Sequence, residues 1–185
     1  MRFLLVFSLF LGLVPSVTAQ KWFTRDGKVY FNATAPDSPE KIEAYSLSGT
    51  CVLDQSTSGV EMSVLVQGFI FERALMKDHF NENYMESNKY PKAVFKGKIA
   101  NSAAILWTTD GTYTADVSGT LAMHGVTKEL TTPVKVTVQK GKPSAEAHFT
   151  VALKDYNIDV PGLVADKVSK TVKIDIIAPL ELLKR

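Results

Sequence analysis

Three histidines, one cysteine and two nearby aspartates are the side chains through which this chain would do metal, nucleophilic or acid–base chemistry. His79 falls in a helical stretch, His124 in a tight turn and His148 on the polar face of a strand. No two of them share a metal-ligand spacing such as H-x-x-x-H, so all three are expected to be solvated and no metal is expected. Cys51 alternates in parity with Tyr45, Leu47, Gly49 and Leu53, which makes it a small buried apolar group rather than a nucleophile. Asp155 and Asp159 have a common spacing that does not by itself bring two carboxyls together. No nucleophile elbow, phosphate-binding glycine loop or dinucleotide fingerprint occurs. The expected catalytic set is therefore empty, and the chain is read as a binder rather than an enzyme.

The elements that would position a binding site are mostly strands. In Thr112–His124, Tyr113, Ala115, Val117, Gly119, Leu121 and Met123 alternate with Thr112, Thr114, Asp116, Ser118 and Thr120. Period-two alternation means one dry and one wet face. His124-Gly125 suits a two-residue hairpin turn, and Lys140-Gly-Lys-Pro143 reads as another. Val134, Val136 and Val138, then Ala145, Ala147, Phe149, Val151 and Leu153, then Val172, Ile174 and Ile176 repeat the pattern. Earlier strands are expected over 27–34, 44–54, 60–71 and 93–101, with a short extra strand before Asp26-Gly27. Asp110-Gly111 places a further strand end at 105–109. About eight strands in a meander predict an all-β, antiparallel up-and-down barrel.

One segment breaks the pattern. Around 73–85, Met76, Phe80 and Tyr84 recur every four residues, so the spacing predicts a short helix with one apolar stripe. Lys77, Asp78, Asn81 and Glu82 lie off that stripe. The spacing leaves open whether the helix plugs a barrel end with ordinary core contacts or forms a lid over a ligand. Leu65, Phe69 and Phe71, opposite in parity to Val60, Met62, Val64, Val66 and Ile70, are placed to sit beneath it or beneath a long loop. The connection 155–167 is unusually apolar and is expected to fold back over an opening.

Residues 1–19 have one positive charge, an apolar run and Val17-Thr18-Ala19 as a cleavage box, so they read as a secretory signal peptide. Residues 20–185 then form one domain, placed by this reading in the periplasm, with no membrane span after cleavage. A single cysteine excludes an internal disulfide. A formal net charge of +2, without a basic stripe, argues against a nucleic-acid partner.

The run His79-Phe-Asn-Glu-Asn-Tyr-Met-Glu-Ser87, followed by Lys89-Tyr-Pro-Lys-Ala-Val-Phe-Lys-Gly97, resembles the YceI-like family of exported lipid-binding proteins. Tyr113–Thr127 resembles that family's later strand, turn and following Thr. Lys154-Asp-Tyr-Asn157 departs from the family's Arg-Asp-aromatic-Gly run. The resemblance implies a lipocalin-like barrel holding a polyisoprenoid or similar long lipid, such as an isoprenoid quinone, with no other cofactor. The candidate lining residues are Val29, Phe31, Leu47, Val64, Phe95, Tyr113, Val117, Leu121, Phe149, Leu153 and Ile174, with Phe80 and Tyr84 closing one end. The protein is expected to act as a monomer or homodimer. Two alternatives stand beside this reading: a barrel with a filled core that works through its surface, and a lipid-modifying enzyme using Asp155.

Overall fold

The structure is a computed structural model and describes residues 20–183. The signal-peptide expectation lies outside the described residues. Ten strands form: β1 (Lys21–Thr34), β2 (Glu43–Asp54), β3 (Gly59–Leu65), β4 (Ile70–Phe71), β5 (Lys92–Ile99), β6 (Gly111–Met123), β7 (Val126–Gln139), β8 (Lys142–Ala152), β9 (Val168–Pro179) and β10 (Glu181–Leu182). Eight of them close a barrel in the order β1-β2-β3-β5-β6-β7-β8-β9, and β9 pairs back onto β1. Every pairing among the described residues is antiparallel. β4 and β10 are short additions, on β2 and β1 respectively.

The alternation of polar and apolar residues sets which way each strand faces. In β6, Ala115, Val117 and Leu121 are buried while Thr114, Asp116 and Ser118 are exposed. In β7, Thr132, Val136 and Val138 are buried while Lys135 is exposed. The turns His124–Gly125 (φ 51° and 75°) and Lys140–Gly141 (φ 52° and 70°) have positive φ at both residues, which matches the twist of the strands they join. The second turn is tighter than the sequence predicts, since Lys142 and Pro143 already belong to β8. On the wall, Gly97 of β5 pairs with Gly119 of β6. A Cβ at Gly119 would lie 2.2 Å from the Lys96 carbonyl oxygen, so the two backbones approach as only glycine allows.

Several expected boundaries shift. β1 starts at Lys21 rather than at residue 27, and the predicted extra strand is its first part, bent by a register shift between Thr24 and Gly27. The predicted strand 60–71 is two strands. The Val66 N–H donates to the Pro91 carbonyl (2.9 Å), which ends β3 and turns Val66 inward through a 3₁₀ turn. The chain re-forms β4 against Ala44 and Tyr45 of β2. Residues 105–109 form no strand. They follow a 3₁₀ turn at Ser102–Ala104, and Ile105 and Trp107 are buried instead of pairing.

Candidate functional site

The inward faces of the eight strands enclose a cavity of about 530 Å³. Its upper and middle wall includes Val29 and Phe31 of β1, Val64 of β3, Phe95 of β5, Val117 and Leu121 of β6, Phe149 of β8 and Ile174 of β9. Small side chains keep it open: Ala115, Ala145 and Ala147 face the space. The floor is made by Ile99, Trp107, Ala178 and Leu180. Polar wall groups are few. The Thr132 hydroxyl is already engaged, donating towards the His148 carbonyl at 3.3 Å, and Ser63 and Cys51 also line the wall.

The other end carries the helical segment. It begins as α1 (Ala74–His79) and continues as a wider turn over Phe80–Tyr84, in which the Met85 N–H donates five residues back to the Phe80 carbonyl (2.9 Å). Such a turn shifts the phase of the helix, and recurs at functional sites. Met76, Phe80 and Tyr84 all face the cavity, as their spacing predicts. Burial raises the Tyr84 hydroxyl above its ordinary pKa. Phe80 anchors the segment in a cluster of rings. It stacks on Phe31 (centroids 5.2 Å, interplanar angle 17°) and meets Phe69 at 5.7 Å and Phe71 at 5.0 Å. Phe69 and Phe71 therefore do lie beneath the helix. The connection 155–167 also turns over the opening, contributing Ile158, Val164 and Lys167 to the cavity lining.

Eleven of the thirteen predicted lining positions face this cavity; Leu47 and Tyr113 do not. Leu47 is 54% exposed. The register of β2 slips against β1 between Gly27 and Val29, so Leu47 and Ser48 both point outward. Ala44 and Ser46 face in before the slip, and Gly49, Cys51 and Leu53 after it, so the parity shared with Tyr45 and Leu47 does not hold. Tyr113 has the inward parity but sits at the start of β6, with its ring against Gly111. Its hydroxyl donates to the Thr109 carbonyl (3.0 Å), which holds it in the end connection rather than on the cavity wall.

The residues with chemical potential are dispersed. Cys51 does line the cavity, but burial pushes its thiol up to about 12, so it is not a nucleophile at neutral pH. Asp155 and Asp159 are exposed and do not line the cavity. His148 is exposed on the outer wall, 2.6 Å from Asp175. His124 is not solvated as expected, its side chain being only 11% exposed. Its Nδ1–H donates to the Tyr156 carbonyl (2.9 Å), its Nε2 lies 3.1 Å from Glu86, and the Tyr90 ring meets it edge-on at 4.9 Å. Two connections that converge only in the folded barrel cover it, one carrying Glu86 and Tyr90 and the other Tyr156.

The sequence reading also missed the charged group at the mouth. Glu40 accepts from Arg73 Nη1 at 2.6 Å through one oxygen and from Lys167 Nζ at 3.3 Å through the other. All three line the opening, together with His79. They come from three separate connections, 33 and 127 residues apart. No local spacing announces them.

A closed antiparallel barrel with an apolar interior, lined at one end by a short helix, is an architecture with room for one small ligand. The chain belongs to the YceI-like domain family, whose sequence profile matches residues 23–179. A polyisoprenoid binding domain from Saccharophagus degradans, implicated in plant cell wall breakdown, has a similar fold (TM-score 0.77, 14% identity, covering 90% of this chain and 100% of that one). Burkholderia cenocepacia BcnA is similar at TM-score 0.67 and 18% identity, over 84% of this chain and 96% of that one. The YCEI protein of Campylobacter jejuni aligns at TM-score 0.51 and 12% identity, covering 100% of this chain and 95% of that one. No curated protein matches the sequence.

Proposed function

We propose that this protein binds and carries a polyisoprenoid or similar long apolar lipid, such as an isoprenoid quinone, inside the barrel and performs no reaction on it. The observation that carries this reading is the apolar cavity of about 530 Å³, lined at one end by the Phe80–Tyr84 segment. Its size lies within the usual range for small-molecule sites. Burying a chain against this wall is favourable by about 0.8 kcal/mol per methylene, so no covalent or metal anchor is required. The polyisoprenoid binding domain of the same fold supports the choice of ligand class. The signal-like residues 1–19 support a periplasmic location. The open interior favours a carrier over a barrel that acts only through its outer surface.

The test is direct. The protein is purified from its native host, extracted with organic solvent and analysed by lipid mass spectrometry. Stripped protein is then offered an isoprenoid quinone. Stoichiometric lipid in the extract, or quinone uptake by the stripped protein, is the expected result. Neither bound lipid nor uptake would sink the proposal.

A further inference from the structure

The charged side chains on the cavity lining are all at one end. Among the described residues, Glu40, Arg73, His79 and Lys167 line the mouth, while the walls and floor below carry none. Glu72, Asp78 and Asp166 are neighbours in sequence but are exposed and do not line the cavity. The rim therefore has two permanent cations against one carboxylate. Each Glu40 oxygen is committed to one cation, at 2.6 Å and 3.3 Å. Arginine has five N–H donors and lysine three, so most of the donors of Arg73 and Lys167 remain unused by Glu40. Glu40 is also the more enclosed partner: its side chain is 24% exposed, against 63% for Arg73 and 46% for Lys167. The carboxylate thus acts as a hub that holds both cations at the edge of an apolar hole.

A purely hydrocarbon ligand would make no use of this arrangement. Its tail would fill the cavity and nothing would meet the spare donors. A ligand with an anionic oxygen group on its head would place that group where Arg73 and Lys167 converge while its tail lies along the barrel. Charge-assisted hydrogen bonds of this kind are shorter and stronger than neutral ones, and at side chains as exposed as Arg73 and Lys167 water and salt reduce their worth.

We propose that the mouth is a head-group site, and that the preferred cargo is a single-tailed amphiphile with an anionic oxygen head, a carboxylate or a phosphate, held by Arg73 and Lys167. This rests on the reading of the cavity as a lipid site and specifies which lipids it selects. Glu40 has two parts here: it pre-positions both cations, and it competes with the incoming head for them.

The experiment compares matched pairs on stripped protein by displacement of a fluorescent apolar probe. Oleate is set against oleyl alcohol, and farnesyl monophosphate against farnesol. In each pair the tail is constant and only the head changes. At least one anionic member is expected to bind about ten-fold more tightly than its neutral partner. Preference in the first pair identifies an acyl carboxylate as the head, and preference in the second an isoprenyl phosphate. The ratio of anionic to neutral affinity is expected to fall to about one in the double variant Arg73→Gln/Lys167→Gln, and to rise in Glu40→Gln, where the competing carboxylate is gone. Raising the salt concentration should shrink the wild-type ratio. If neutral and anionic members bind equally to the wild type, or the preference survives the double variant, the head-group proposal is overturned while lipid carriage stands. If no member of either pair displaces the probe, the head-group proposal fails, and lipid carriage is decided by the native extract and by quinone uptake.

Discussion

The two ends of the barrel are made from the same eight strands and are closed by different means. At the base, Trp22, Ile99, Ile105, Trp107, Val138 and Leu180 are all buried. Backbone hydrogen bonds tie the connections there to the wall: Ala100 N–H donates to the Asp116 carbonyl (2.8 Å) and Leu180 N–H to the Pro143 carbonyl (2.9 Å). At the mouth, the closing segment Ala74–Tyr84 contains no buried residue. It is held by one ring cluster and by the Arg73–Glu40–Lys167 group. Leu75 within it and Leu163 of the connection 155–167 stand exposed. Burying large side chains in a packed floor makes opening expensive. Half-buried rings and exposed ion pairs make it cheap, because each exposed pair is worth little in water. The contrast is between a floor closed by buried side chains and a mouth closed by half-buried rings and exposed ion pairs.

Trp107→Ala tests the floor and should have the largest effect. Removing a buried indole is expected to cost about 3–5 kcal/mol of stability, measured by urea denaturation. Phe80→Ala tests the mouth. Because Phe80 is only half-buried, a smaller stability loss of about 2 kcal/mol is expected, together with a clear drop in affinity for the lipid. If the two variants lose equal stability, the asymmetry between the ends is wrong. If Phe80→Ala binds lipid as well as wild type, the ring belongs to the protein's core and not to the ligand wall.

The smallest effect concerns charge at the base. Hydrogen bonds from Ser56 and then Lys21 hold the Asp54 carboxyl down at about 2. Ser56 Oγ lies 2.5 Å and Lys21 Nζ 2.9 Å from it. A group whose pKa is lowered by folding stabilises the protein above its unfolded value, near 4, and that contribution is lost as pH falls towards 2. Asp54→Asn should therefore flatten the acid-side slope of thermal stability between about pH 4 and pH 2. Wild-type and variant curves that stay parallel through that range would show that this pair does nothing for the base.

The middle of the barrel was readable from local pattern, because strand alternation is a property of neighbouring residues. Val117, Leu121, Phe149 and Ile174 reach the cavity through parity alone. The stripe Met76, Phe80 and Tyr84 was readable for the same reason, with a helical period. Leu47 falls off the predicted face because β2 carries one extra residue against β1 between Ser46 and Gly49, which reverses the parity of β2 beyond it. His124 reads as solvated from local sequence because the groups that cover it, Glu86, Tyr90 and Tyr156, are between 32 and 38 residues away. The mouth charges escaped notice because they pair across three connections.

The sequence by itself determined the strand faces, the hairpin turns, the one apolar helix and, through the runs His79–Ser87 and Lys89–Gly97, the family. These follow from side-chain period and backbone preference, which act over a few residues. Only the tertiary structure decided that β9 meets β1, that the inward faces leave a hollow of about 530 Å³, and that a glutamate gathers two cations at its rim. The physical reason is closure. The width of a barrel is set by its strand number and by the registers summed around the ring, and whether side chains fill that width depends on all eight strands at once.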